Sequence, residues 1–261
     1  MLDQKEFVNK KETDVEEEKV HSNQASRVKL IVSDSFLSFM WVLSGSVIRY
    51  LIYMILGTGM DPISVLLKGY LALVYLYYFS QLRKVTNGGT YNPLFVLCHA
   101  ISDNFVEFLY AVFGRIPAQV LGSVIGVWLI NATFPAAANG PRLNVDVSYG
   151  ALIEGLITFA IIIVSLGLNK FPRSSHKTWI SSFAKLALHV LASDITGGVM
   201  NPASAFGWAY AQGKHLTKEH LCVYWLAPLE ATLLVVWICS LFIKLPKQKR
   251  QHEMQYKDKL V

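Results

Sequence analysis

One six-residue pattern occurs twice in an apolar setting and constrains the fold more than any other feature. Gly88-Gly89-Thr90-Tyr91-Asn92-Pro93 returns as Gly197-Gly198-Val199-Met200-Asn201-Pro202. In an Asn-Pro pair the Asn serves as helix N-cap and the Pro as first helical residue, because Pro lacks only an N–H that has no helical partner there. The glycines let the chain turn sharply just before. Roughly ten mostly apolar residues follow each pair. At 1.5 Å per residue such a helix is ~15 Å long, half of a ~30 Å hydrocarbon core. Two half-helices entering from opposite sides would meet tip to tip at the midplane, which is a pore design. Taken alone, either Asn-Pro pair reads better as an ordinary loop turn; the matched pair does not.

Hydrophobic residues make up 53% of the 261 residues and charged residues 16%. Apolar runs long enough to span a membrane fall at roughly 28–56, 63–82, 106–130, 149–168, 178–196 and 221–243. Six spans and two short insertions use nearly all of 28–244 and leave no room for a soluble catalytic domain. The fold class expected is an all-α membrane protein: six transmembrane helices plus two re-entrant half-helices. Cys98, Cys222 and Cys239 all lie in apolar helical stretches and read as small hydrophobes, not as a disulfide framework. No cleavable leader is recognisable, since the first apolar run follows a charged segment. Seven histidines are scattered along the chain, and no nucleophile–base pair or metal cluster converges, so neither enzyme activity nor a cofactor is expected.

Residues 1–27 are charged and aperiodic, including Glu16-Glu17-Glu18, and are expected to form a disordered tail. Basic residues then orient the chain. Arg27 and Lys29, Arg83 and Lys84, Lys170, Arg173 and Lys177, and Lys244, Lys247, Lys249 and Arg250 all fall on one side if both termini do. That places both termini in the cytosol. The net charge of +6 reflects this basic face and not a nucleic-acid site. Lys185 is the one lysine in mid-span; it either snorkels or pairs, which argues against a charge-lined transporter path.

The repeat extends beyond the Asn-Pro pairs. Asp34-Ser35-Phe36-Leu37-Ser38-Phe39 in the first span matches Glu154-Gly155-Leu156-Ile157-Thr158-Phe159 in the fourth. An odd number of spans per half makes the two halves inverted repeats. Asp34 and Glu154 are either loop braces, accepting N–H groups from the two Asn-Pro segments, or interfacial residues near span ends.

With both repeats in view the chain resembles the aquaporin (major intrinsic protein) family over residues 28–244, and its departures resemble the plant small basic intrinsic proteins, second subgroup. The residues carrying this include Tyr91-Asn92-Pro93-Leu94, Gln119-Val120-Leu121-Gly122, Met200-Asn201-Pro202-Ala203 and Tyr224-Trp225-Leu226-Ala227-Pro228. The resemblance implies an aquaporin-like channel domain over 28–244, with repeat one at 28–130 and repeat two at 149–244, followed by a basic cytosolic tail at 245–261. It also implies a homotetramer in membrane lipid, each protomer with its own pore.

If Asn92 and Asn201 are N-caps, each side-chain oxygen is occupied by its own half-helix, leaving each amide NH₂ as a donor to the lumen. Two donors would hold a passing water by its oxygen and interrupt a proton wire. Both half-helix N-termini add partial positive charge at the same place. Family members selective for water surround an outer filter with an aromatic ring, a His, a small residue and an Arg. The resemblance puts those positions at Ala72, His189, Gly198 and Ser204, so the filter is expected to be wider and less cationic. His189 on its apolar helix reads otherwise as a satisfied core residue. Leu94 replaces the usual Ala beside Pro93, facing either the lumen or a neighbouring helix.

Lys257 and Lys259, fifth and third from the end, resemble a dilysine signal for retrieval to the endoplasmic reticulum. Asn131-Ala132-Thr133 is a glycosylation sequon so close to a span end that it is expected to stay unused. The function expected is passive passage of water or other small neutral solutes. The rival is a membrane interaction protein of the endoplasmic reticulum on the same scaffold, conducting weakly or not at all.

Overall fold

A computed structural model of the chain describes residues 2–55, 62–169 and 175–242, and every regular element among them is helical. Helix α1 (Leu2–Tyr50) continues into one π-helical turn at Leu51–Ile55, and α2 (Pro62–Val85) returns. The half-helix α3 (Pro93–Asp103) follows. Next, α4 (Phe105–Tyr110) runs through a π-helical turn at Ala111–Arg115 into α5 (Ile116–Thr133). The second half repeats this order as α6 (Val147–Asn169), α7 (Ser175–Ala192) and the half-helix α8 (Pro202–Ala211). It ends with α9 (Lys218–Leu221), a π-helical turn at Cys222–Leu226, and α10 (Ala227–Phe242). The half-helices have 11 and 10 residues, close to the length expected.

Among the described residues, five helical stretches are long and apolar enough to cross a membrane: Gln24–Met54, Ile63–Val85, Phe105–Thr133, Val147–Leu168 and Lys218–Leu241. The fifth expected span, 178–196, is represented by α7, whose 18 residues include Lys177, Lys185 and His189. These polar residues dilute its hydropathy, and its last turns give way to the loop before Asn201. The tail expected to be disordered also differs: residues 2–27 are the first turns of α1. No glycine or proline stands before Gly45, and Glu, Lys and Gln, which lose little rotamer freedom in a helix, are frequent there. Lys257 and Lys259 lie outside the described residues. Asn131 stands, exposed, in the last turn of α5.

Packing follows the inverted repeat. Helix α1 lies along α5, and α6 along α10. The half-helices cross over: α3 packs on α10 of the second repeat and α8 on α5 of the first. The α1–α5 approach is close at Gly122, where an added Cβ would stand 2.0 Å from the carbonyl oxygen of Ser35. Any larger residue there would push the two helices apart. The main apolar core joins Leu94 and Cys98 of α3 to Ile157, Ile161 and Ile162 of α6 and to Val235, Val236 and Cys239 of α10. Large apolar side chains such as Phe36, Leu66, Trp128, Leu156, Leu191 and Trp237 are exposed on the outer faces, as lipid contact requires.

Candidate functional site

Asn92 and Asn201 both cap their half-helices through the side-chain oxygen. Each has extended backbone, with φ of −127° and −150°. Asn92 Oδ1 accepts from the N–H of Leu94 at 3.0 Å, and Asn201 Oδ1 accepts from the N–H of Ser204 at 3.3 Å. The amide nitrogens cross between repeats. Asn92 Nδ2 donates to the carbonyl of Met200 at 2.6 Å, and Asn201 Nδ2 donates to the carbonyl of Tyr91 at 3.2 Å. Each asparagine therefore holds the residue that precedes the other. This corrects the expectation that both N–H groups of each amide face the lumen: one is taken by the opposite loop, since a buried carbonyl without a partner is costly. The second N–H of each amide remains. Both asparagines are almost fully buried, and both half-helix N-termini come together at one place.

The loops are held from outside by acidic side chains, by different chemistry in the two repeats. Asp34 of α1, fully buried, accepts from the N–H of Thr90 at 2.7 Å. It also pairs with Arg115 at 2.6 and 3.0 Å, and the same guanidinium donates to the carbonyl of Gly88 at 2.8 Å. Glu154 of α6, equally buried, accepts from the Thr196 hydroxyl at 2.7 Å and from the N–H groups of Val199 and Met200 at 2.8 and 3.0 Å. Three donors satisfy Glu154, and no salt bridge to it exists among the described residues. Asp34 accepts only one backbone N–H and takes an arginine to complete its shell.

The two internal π-helical turns supply matching braces. Arg115 closes the turn at Ala111–Arg115, and Tyr224 sits in the turn at Cys222–Leu226, where its hydroxyl donates to the carbonyl of Thr196 at 2.7 Å. A π-turn shifts the side chains that follow it, and here both shifts serve an Asn-Pro loop. Gln119, one turn beyond Arg115, donates to the carbonyl of Thr90 at 3.0 Å. Arg115 and Thr196 were missed from sequence because neither carries a motif of its own.

Around Tyr91 the first loop meets an aromatic cluster. Trp41 of α1 stacks on Tyr91 with centroids 3.9 Å apart and planes 8° apart, and Phe79 of α2 meets both rings edge-on. Tyr75 of α2 donates to the carbonyl of Trp41 at 2.7 Å. Lys185 of α7 reaches into this cluster and donates to the Tyr91 hydroxyl at 2.8 Å. Of the two sequence readings for Lys185, pairing is the one observed.

Comparison with known proteins fits this geometry. The Major intrinsic protein profile matches residues 21–239. The chain belongs to the major intrinsic protein family. It is 47% identical over 221 residues to probable aquaporin SIP2-1 of Arabidopsis thaliana, covering 84% of this chain and 93% of the relative. It is 49% identical over 226 residues to aquaporin SIP2-1 of Zea mays, covering 85% and 91%. Identity to aquaporin SIP1-1 of Zea mays is 32% over 233 residues, covering 85% and 95%. These figures place it with the second subgroup of small basic intrinsic proteins. Members of the major intrinsic protein family are membrane channels for water or small solutes, not enzymes.

Of the four positions expected from sequence to form an outer filter, the structure ties two together directly. His189 is exposed near the end of α7, with its Nδ1 3.1 Å from the carbonyl oxygen of Gly198. Gly198 has φ +54°, and a Cβ there would stand 2.7 Å from the carbonyl oxygen of His189, so the close approach needs glycine. Ser204 is buried in the first turn of α8, and Ala72 is half-buried on α2. Neither is hydrogen-bonded to His189 among the described residues. Leu94 is 1% exposed in the α3–α6–α10 core, beside Ile157 and Val235. Of its two sequence readings, packing against neighbouring helices is the one the structure supports. Ala203, its counterpart in the second repeat, is also fully buried.

Proposed function

We propose that the chain is a passive pore for water and other small neutral solutes, with Asn92-Pro93 and Asn201-Pro202 at its midplane. The observation that carries this reading is the reciprocal bond between each asparagine amide and the residue before the other asparagine. That arrangement brings two half-helix N-termini to one point and leaves one N–H on each amide as donor to a permeating oxygen. A water held there by its oxygen cannot donate along the file in both directions, so protons are excluded while water passes. Asp34 and Glu154 keep the loops in place. His189, Gly198, Ser204 and Ala72 form an outer filter without a guanidinium, wide enough for solutes larger than water.

The pore works as one of four in a homotetramer in lipid, with both termini cytosolic. Lys257 and Lys259 retain it in the endoplasmic reticulum; changing both to Ser should release a tagged protein to later membranes, and retention of that variant would refute the signal.

The channel reading is tested by stopped-flow shrinkage of vesicles bearing the purified protein, with a pH dye inside. Water flux well above that of empty vesicles, without matching proton leak, is the outcome expected. Flux equal to that of empty vesicles would refute it and leave the non-conducting scaffold as the better reading.

A further inference from the structure

Helix α7 presents one face to both Asn-Pro loops. His189 meets the carbonyl of Gly198 before Asn201, and Lys185, four residues earlier on the same face, meets the hydroxyl of Tyr91 before Asn92. Lys185 lies ten residues from the start of α7 and seven from its end, ~15 Å and ~10 Å along the axis. Its stem is too short to carry the ammonium to either membrane surface. The ammonium is held instead by the side chain of Tyr91, the residue before Asn92. It donates to Tyr91 Oη at 2.8 Å and lies beside the stacked rings of Trp41 and Tyr91, 4.7 and 4.8 Å from their centroids. The carbonyl of Tyr91 accepts Asn201 Nδ2, so one residue joins the lysine to the midplane donors. Lys185 is only half-buried, and among the described residues no salt bridge neutralises it.

We infer that Lys185 is a specificity-determining residue of this pore: an ammonium tethered by Tyr91 and Trp41 beside the asparagine pair, which refuses cations. The inference rests on the channel reading above. Ser204 stands where water-selective relatives carry a fixed positive charge, so the outer mouth lacks one. Lys185 supplies it one helical turn deeper than His189, where the two half-helix termini add charge of the same sign. A permeating solute that offers oxygen acceptors meets three donors at this level, from Lys185, Asn92 and Asn201; a cation meets repulsion from all of them.

The test compares vesicles bearing native protein, Lys185→Met, Lys185→Gln and Lys185→Arg at equal density of folded protein. Water flux, sodium uptake and proton uptake are read in each. Met matches the stem without charge, Gln keeps a hydrogen-bond donor for Tyr91, and Arg keeps the charge. At separations of ~6 Å and an effective dielectric of ~20, removing a unit charge raises cation passage by tenfold or more. Both neutral variants should therefore leak sodium or protons about tenfold faster than native, with water flux kept or raised, while Lys185→Arg stays tight. If the neutral variants carry water and remain as tight as native, Lys185 is a structural brace and the inference fails while the channel reading stands. If native and variant proteins alike carry no water, the channel reading fails and takes the inference with it.

Discussion

Asn92 Nδ2 lies 2.6 Å from the carbonyl oxygen of Met200, the residue before the other asparagine of the pair. Met200 has φ +48°, a left-handed conformation that a non-glycine residue adopts at a cost. The strain persists because the backbone is held on both sides of the residue: Glu154 accepts the N–H of Met200, and Asn92 donates to its carbonyl.

Asn92→Asp separates the two jobs of the side chain. Asp retains an oxygen to cap α3, a contribution of ~1 kcal/mol, but no longer donates to Met200 or to a permeant. Folded yield should exceed that of Asn92→Ala, while water flux per folded protein falls in both and cation leak rises in Asn92→Asp. Equal flux in native and Asn92→Asp vesicles would show that the donor plays no part in passage.

Arg115 is expected to be indispensable for folding only while Asp34 carries charge. Arg115→Leu leaves a buried carboxylate without its cation, at a cost of ~3–5 kcal/mol. The double change Asp34→Asn with Arg115→Leu should recover much of the thermal stability in detergent. A double variant as unstable as Arg115→Leu alone would mean that the guanidinium matters through Gly88 instead.

Leu94→Ala should leave a cavity among Ile157, Val235 and Cys98 and cost ~2–5 kcal/mol. Water flux per folded protein should not change, because the lost methyls face helices. A rise in flux at matched density would place Leu94 in the lumen.

Ser204→Arg restores a guanidinium near His189 and Gly198. Passage of hydrogen peroxide or urea should fall several-fold relative to native protein, with water affected less. Equal solute uptake by both, measured by stopped flow, would show that selectivity is set at Lys185 and Tyr91 and not at the outer mouth.

The half-helices, their caps and the acidic pair were legible in sequence because each depends on local spacing or on the repeat. What stayed closed to sequence depends on distant partners. Leu94 meets α6 and α10, far along the chain, and Lys185 meets a hydroxyl 94 residues away. The sequence spacing of the asparagines implied donors but not that each would spend one N–H on the other loop. The bracing roles of Arg115 and Tyr224 became visible only through the π-turns that aim them. The charged N-terminal stretch misled because its composition suits a solvated chain and a helix alike.

Because α3 packs on α10, the first half-helix finds its final neighbour only when the last helix has been made. Earlier still, until Met200 and Asn201 have been made, the amide of Asn92 has no Met200 carbonyl to hold, and the carbonyl of Tyr91 awaits Asn201. Synthesis thus delivers the first repeat to the bilayer as an unfinished half. A chain truncated before Met200 therefore cannot close its centre: it presents the Asn92 amide and the Tyr91 carbonyl without these partners to whatever surveys new membrane proteins.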